Sequence, residues 1–282
     1  MKFSFIDAER AYFPIEVIAK VLLVSVSGFY AWQKRVKSKL TAQNEIEAAF
    51  KKVFLESRKT YGKKRMQAGL KRAGILLSLE TIKKVMKKLQ LKAKTRRKFK
   101  ATTNSAHSHY VFPNLLAQHF SVPVLNHSWV SDITYVKTSK GWLYLCVVLD
   151  LNSRSIVGWS MQDRMTADLV LAALQNSTQS RGCAPKIFHS DRGSQYCSSR
   201  VVNYLSDRGV MQSMSGTGNC YDNSVCESFF GSLKKELIYQ CSAKTHDETK
   251  AAIFDWIEIF YNRTRLHSTL GNLSPLEYER AS

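Results

Sequence analysis

The sequence predicts an α/β protein in which a mixed five-stranded sheet flanked by helices follows an all-α, strongly basic region. Three observations carry this reading. The chain has 282 residues, roughly two domains' worth, and 44% of them are hydrophobic, enough for real cores. Three β-rich runs lie between residues 130 and 161, and helical and short strand patterns alternate after them. Almost all of the net charge of +20 sits in the first 110 residues, which hold 26 Lys/Arg against 7 Asp/Glu, whereas residues 111–282 hold 16 against 15.

The basic region reads as two helical units. In residues 1–40, helices over Pro14 to Leu23 and Ser27 to Lys34, separated by Val24 to Val26, suggest a short helix-turn-helix. In residues 41–100, Asn44 is placed to cap a helix ending near Ser57, and a second helix runs from Lys63 to Ala73 with Gly74 as its stop. Ser78 then caps a third helix reaching Leu89. Its residues Leu79, Ile82, Val85, Met86 and Leu89 share one face at helical spacing, and Lys83, Lys84, Lys87 and Lys88 fall on another. Lysines so placed grip phosphates and read little sequence. Arg96 and Arg97 belong to the densest basic run, Lys92 to Lys100, and are expected to add to this grip on double-stranded DNA. The polar stretch after them marks residues 101–120 as a linker.

Residues 121–240 carry the sheet. Val130 to Thr138, Trp142 to Leu151 and Ser155 to Met161 read as an antiparallel meander, broken by Ser139-Lys140-Gly141 and Asn152-Ser153-Arg154. A helix capped by Thr166 runs from Ala167 to about Gln179 and ends near Gly182. A strand at Lys186 to His189, a helix at Ser198 to Asp207, a strand at Val210 to Met214 and a helix at Ser224 to Tyr239 follow, and residues 241–282 form a helical extension. The order βββ-α-β-α-β-α matches the ribonuclease H-like fold, an architectural analogy that fixes no function by itself.

Composition excludes several classes. The apolar runs around Leu143 to Leu149 and Val21 to Val24 are far shorter than the ~20 residues of a membrane helix. Asp7, Glu9 and Arg10 occupy the place where a secretory signal would be apolar, so nothing points to export. Six cysteines at irregular spacing, with no Cys-x-x-Cys pair, read as reduced thiols of a cytoplasm. His107 and His109 lack paired cysteines, so no zinc site is expected.

Asp132 in the first strand, Asp191 after the fourth and Glu227 early in the long helix are the acids this fold brings together. Carboxylates ~4 Å apart repel by about 4 kcal/mol per pair at an effective dielectric near 20. Either one takes up a proton or a cation joins them. Hard divalent ions such as Mg²⁺ or Mn²⁺ suit an all-oxygen site, and two such ions can activate and stabilise the oxygens of an in-line phosphoryl displacement. A metal-dependent reaction at a DNA phosphodiester fits both halves of the chain.

The spacing adds to this: Asp132 and Asp191 are 59 positions apart, and 35 residues separate Asp191 from Glu227. The segments WVSDITY (129–135), HSDRGSQY (189–196) and YDNSVCESFFGSLKK (221–235), together with VSVSGFYAW near Ser25 and YNRTRLHSTLGNLSP from Tyr261, resemble an insertion-sequence transposase of the retroviral-integrase superfamily. Within it the chain is similar to the downstream reading-frame product of the insertion sequence three family. That resemblance implies that Asp132, Asp191 and Glu227 are the metal-binding catalytic triad, that the enzyme cuts and joins DNA strands, and that transposition runs by a copy-out, paste-in route. It also implies a homo-oligomer on DNA, in the bacterial cytoplasm at the nucleoid, and an upstream-frame product, fused or associated, supplying the coiled coil for which no sustained heptad run is present here. A rival reading, a regulator that binds element ends without catalysis, predicts a lost carboxylate, and none is lost.

Neighbouring residues invite roles of their own. Lys234 lies two helical turns after Glu227 and, by the resemblance, contacts DNA phosphate; Asn223, one turn before it, can approach substrate or hold the loop, with Asp222 capping the helix. His189 either touches a nucleotide or bonds within a strand end, Gly193 permits close approach of the backbone to phosphate with Gln195 beside it, and Asp150 reads as a turn residue. Tyr261, Asn262, Arg265 and His267 either contact DNA or pack the tail onto the core. Leu23 and Val26 stand where the family usually has a turn glycine and an arginine, so sequence-specific reading by the first unit is not expected.

Overall fold

The computed structural model describes residues 1–94, 111–216, 220–240 and 245–282, and the chain divides into two compact units, Met1–Ala93 and Lys94–Ser282.

In the first unit, α1 (Lys2–Glu9), α2 (Ile15–Val21) and the start of α3 (Val26–Glu56) close around Ile6, Ile18, Ala19 and Phe29. Helix α1 is absent from the sequence reading because Ile6 is its one buried side chain and gives no periodicity. Ser25 caps α3, its hydroxyl accepting the Gly28 N–H at 3.0 Å. The two helices expected at Ser27 to Lys34 and from Asn44 are one continuous α3. Asn44 lies mid-helix, because the stretch between them is rich in good helix formers and has no proline or glycine. Residues 37–45 are exposed on every side, so this helix is held by Phe29 at one end and by Phe50, Val53 and Phe54 at the other.

The second core of this unit joins the end of α3 to α4 (Lys63–Arg72) and α5 (Leu79–Lys88), with Met66, Leu70, Ile82 and Met86 buried. Gly74 adopts φ +80°, which a side chain would oppose, and Ser78 caps α5 by accepting the Thr81 N–H at 3.2 Å. Lys83, Lys84, Lys87 and Lys88 are all exposed, opposite the buried face.

The second unit is a five-stranded sheet in the order β3-β2-β1-β4-β5, with β1 Ser128–Thr138, β2 Gly141–Asp150, β3 Ile156–Gln162, β4 Ile187–Ser190 and β5 Met211–Met214. β1, β2 and β3 are antiparallel; β4 lies parallel to β1 and β5 parallel to β4. One face packs on α6 (Ala167–Arg181) and α7 (Ser199–Ser206) through Leu169, Val170, Leu174, Val201, Leu205 and Trp129. Gly158 of β3 permits α6 to approach so closely that a Cβ there would stand 2.6 Å from the Ala173 carbonyl oxygen.

The other face packs on α8 (Ser224–Glu236) and on a C-terminal run of α9 (His246–Phe254) continuing as a π-helical stretch, Asp255–Tyr261, before α10 (Pro275–Ala281). The wider turn buries Trp256, Ile257, Phe260 and Tyr261 together against Phe229 and Leu233. No single helix among the described residues is long and apolar enough to cross a membrane.

Leu23 ends α2 at φ +52° and is 86% exposed. It holds a left-handed conformation that costs a branched residue roughly 1 kcal/mol and gains no packing in return. Leu23→Gly is therefore expected to stabilise the first unit by about 1 kcal/mol, read as a higher denaturant midpoint at unchanged slope; an unchanged or lower midpoint would show that the turn carries no strain.

Candidate active site

The site grows from the parallel pairing of β1 and β4. Ser128, Trp129 and Val130 pair with Ile187, Phe188 and His189, an offset of 59 positions. Continued two residues, that register sets Asp132 level with Asp191, just where β4 ends and the loop turns away. Asp132 is half-buried, and its carboxylate accepts the Ile133 N–H at 2.7 Å. Asp191 accepts the Gly193 N–H at 3.0 Å, and a Cβ on Gly193 would press on that carboxylate and on the Gln195 side chain. Glycine here serves close approach to Asp191 itself. Glu227 projects from the first turn of α8 and is exposed.

Desolvation, followed by the charges of Asp191 and then Glu227, pushes the Asp132 carboxyl well above the usual carboxylate range, against the Ile133 N–H and the charge of Lys234. The charges of Asp191 and Glu227 thus reach Asp132, although among the described residues no three such side chains close around a common point that could hold an ion. The donor set is oxygen throughout, and repulsion of this kind is relieved by a cation. The residues fit a hard divalent metal in chemistry.

A buried polar network ties the three carriers together. The Ser131 hydroxyl shares a hydrogen bond of 2.9 Å with the Tyr196 hydroxyl, and the Asn223 amide donates to the Ser131 carbonyl at 3.2 Å. Tyr196 in turn donates its backbone N–H to the Gly193 carbonyl at 2.9 Å. So the residue before Asp132 is bonded both to the loop of Asp191 and to the residue that opens the helix of Glu227. Sequence reasoning quoted Tyr196 only as the end of a motif and assigned nothing to Ser131. A serine and a tyrosine buried in apolar surroundings announce themselves only when the fold brings them together.

Lys234 is buried, its ammonium 5.4 Å from the ring centroid of Tyr135 and within electrostatic reach of Asp132. Burial lowers its pKa against that charge. The helix-capping role expected of Asp222 is not found. Asn223 holds the N-cap position without a side-chain bond, and the Asp222 carboxylate instead accepts from the Gly216 N–H at 2.7 Å, Asn114 at 3.0 Å and Gln118 at 3.1 Å. His189 is fully buried, bonded to Ser213 at 2.8 Å and Ser215 at 3.4 Å, and so makes the strand-end bond of its two expected alternatives. Asp150 is a turn residue, its carboxylate accepting from the backbone of Asn126, Asn152 and Ser153.

The C-terminal residues pack. Tyr261 meets Phe229 edge-on at 4.8 Å, Asn262 exchanges two bonds of 3.0 Å with the Ile156 backbone, and Arg265 forks onto Glu236 at 2.8 and 2.9 Å. Of the proposed phosphate contacts, Lys88 is engaged with Glu47 at 2.6 Å, whereas Arg96 and Arg97 lie outside the described residues.

Three family models match the chain: integrase core domain over residues 125–220, integrase core domain again over 227–282, and an HTH-like domain over 41–99. The chain is also similar in fold to a chain in the simian T-cell lymphotropic virus intasome complexed with a PP2A regulatory subunit, at a TM-score of 0.50 and 16% identity over 77% of this chain and 71% of that one. Fold and matched models thus define an integrase-core enzyme, a polynucleotidyl transferase joined to a DNA-binding helical region.

The full-length relatives narrow the class. Transposase InsF for insertion sequence IS3A of Escherichia coli K12 is 39% identical over 99% of this chain and 98% of its own, and a 31 kDa protein of insertion element IS600 of Shigella sonnei is 41% identical over 93% and 97%. The chain belongs to the IS3-family insertion-sequence transposases, and its activity is DNA transposition.

Two titrations follow for the metal-free chain. Burial lowers the His189 imidazole from 6.5 to about 4, so it contributes stability present above pH 6.5 and lost as pH falls towards 4. Its ring ¹⁵N shifts should report a neutral imidazole at pH 6; a charged one there would contradict the burial. Asp132 has the opposite sign. Its raised carboxyl costs stability once pH passes the usual carboxylate range, so Asp132→Asn should raise the thermal midpoint at pH 7 and lose that advantage below about pH 4. A lower midpoint at pH 7 would remove the repulsion from the account.

Proposed function

We propose that Asp132, Asp191 and Glu227 are the catalytic carboxylates of this transposase, that they hold Mg²⁺ or Mn²⁺, two ions in the working complex, and that the first unit supplies the grip on duplex DNA. One observation carries the reading: the β1–β4 register sets Asp132 level with Asp191, and the charges of Asp191 and Glu227 both push the Asp132 carboxyl up. Divalent ions, when bound, lower the pKa of the attacking oxygen and offset charge on the leaving one.

The chain's own residues do the rest. Asp132 within β1 and Asp191 just after β4 stand level where the pairing of the two strands ends, and Glu227 completes the set from the helix. Lys234 counters the negative charge at Asp132 and offers an ammonium to a phosphate oxygen. Asn223 holds the opening of α8 to the strand through Ser131 and adds a contact to the DNA. Cleavage by water and joining by a 3′-hydroxyl are the same in-line displacement with a different nucleophile, so one arrangement serves both and no covalent protein intermediate is required.

Lys83, Lys84, Lys87 and Lys88 face solvent on one side of α5, and with Arg96 and Arg97 they position the protein on phosphates. The chain acts as a homo-oligomer on DNA, in the bacterial cytoplasm at the nucleoid, and the upstream-frame product joins it by fusion or association. The segments run as basic helical parts over 1–40 and 41–100 that share the continuous α3, a linker over 101–120, a catalytic core over 121–240 and a helical extension over 241–282.

With labelled element ends and Mg²⁺, Asp132→Asn, Asp191→Asn and Glu227→Gln should each abolish nicking and joining while DNA affinity holds within about twofold; parent-level joining by any one of them would strike that residue from the triad. Activity should return with Mn²⁺ after chelation, and restoration by Zn²⁺ alone would contradict an oxygen-only site. Lys83→Ala, Lys84→Ala and Lys87→Ala should each flatten the slope of log affinity against log salt by about one unit, with a smaller change for Lys88→Ala because Glu47 already balances that charge. Four unchanged slopes would move the contact off α5.

A further inference from the structure

β1 pairs with β4 only from Ser128 to Val130, so beyond Asp132 the β1–β2 hairpin runs on with β2 as its partner. On this projecting part Tyr135 and Trp142 are 39% and 48% exposed, among the large hydrophobic side chains left open to water. In the antiparallel register Tyr135 faces Tyr144 and Lys137 faces Trp142, so the four side chains share one side of the hairpin. The Tyr135 and Trp142 rings meet edge to face at 5.1 Å. The tip is held in shape by Thr138, whose hydroxyl donates to the Gly141 carbonyl at 2.9 Å and accepts the Lys140 N–H at 3.2 Å. Lys137 and Lys140 are exposed beside the rings.

Covering the open part of both rings would be favourable, since aromatic surface leaves water readily. What could cover it is limited by its surroundings. Lysines flank the rings on the hairpin, and the Lys234 ammonium lies 5.4 Å from the Tyr135 ring while its charge acts on Asp132. The partner must therefore present a flat apolar face and negative charge at once; Tyr135 lies on the sheet face opposite Asp132, but β1 has no β4 neighbour at this level, and the Lys234 ammonium links that open edge to the Tyr135 ring. An unpaired nucleotide does both. Every base has a π-face for the ring and a phosphate for the lysine, whereas a base inside a duplex has both faces taken by its neighbours.

We propose that the Tyr135–Trp142 pair stacks an unpaired base of the DNA strand whose phosphate lies at Asp132, with Lys137 and Lys140 on the flanking phosphates. This rests on the reading of Asp132 as a catalytic carboxylate for its location, but not for its test. The hairpin thus holds a frayed strand end in place and selects opened DNA over fully paired DNA without reading its sequence.

The experiment uses the full chain without divalent metal, so that only binding is read. Three fluorescein-labelled 20-base-pair duplexes are compared by anisotropy: blunt, with a three-nucleotide thymidine 3′ overhang, and with the same overhang made abasic. The thymidine overhang should bind about tenfold tighter than the abasic one, the worth of one stacked base. Trp142→Ala and Tyr135→Ala should each reduce that ratio towards one, Trp142→Phe should keep most of it, and Lys137→Ala with Lys140→Ala should flatten the salt slope while preserving it.

Equal binding of the thymidine and abasic overhangs by the parent chain would overturn the proposal, as would a tenfold ratio surviving in the Tyr135→Ala, Trp142→Ala double variant. Circular dichroism and the thermal midpoint of Trp142→Phe establish that the hairpin remains folded. Strand joining by Asp132→Asn is scored separately: joining at the parent level would defeat the catalytic reading and leave the stacking ratio standing.

Discussion

The parallel register of β1 on β4 is the constraint from which the rest of this enzyme follows. Three residue pairs define it, and through them two acids far apart in sequence emerge at the same level of the sheet. A slip of one residue would turn every β1 side chain to the opposite face, carrying Asp132 into the apolar layer that holds Trp129 and Val148. Both faces of the sheet resist the slip. Trp129 and Phe188 are locked under α6 and α7, and Val130 and Val136 under α8. The packing that stabilises the fold thereby also forces carboxylates into mutual repulsion, and a cation is the natural relief.

Helix α8 brings the third acid, and its far end is fixed by the C-terminal segment. Arg265 forks onto Glu236 with both groups buried, and its guanidinium also reaches Ser232 at 3.2 Å. Removing one partner of such a pair costs about 3–5 kcal/mol because the other charge is stranded. The same segment covers the outer strand of the sheet. Asn262 supplies both a donor and an acceptor to Ile156, Glu258 accepts from the Trp159 indole at 2.8 Å, and Arg181 holds Glu279 of α10 at 2.6 and 2.8 Å. An edge strand that would otherwise invite pairing is closed by side chains. Tyr261, Asn262 and Arg265 thus pack the tail onto the core, within the stretch that the second integrase-core model matches.

Two acids and one histidine near the site are engaged by other groups. Asp150 and Asp222 are saturated by backbone and amide donors, and His189 is sealed between two serines. Asp150 fixes the turn between β2 and β3, and Asp222 and His189 bond within and beside the segments that follow β4 and β5. A carboxylate already surrounded by three donors has its lone pairs occupied, whereas Asp132 accepts one described bond, from the next residue's N–H, and faces other acids. That contrast separates a site from its scaffold.

The elements of the second unit and the division of charge were legible in the chain alone, and the resemblance of its motifs singled out Asp132, Asp191 and Glu227. Period-two runs and glycine and serine punctuation are local signals, and the strands and helices of the second unit fall within a few residues of where those signals place them. The stop at Gly74 and the cap at Ser78 were legible too, since both depend on residues within a turn of the helix end. Tertiary structure decided the bonds made by Asp222, the burial of Arg265 and Lys234, and the meeting of Ser131 with Tyr196. Each depends on contacts between residues dozens of positions apart. A side chain's partners are then set by how the layers pack, and no periodicity in the chain records that.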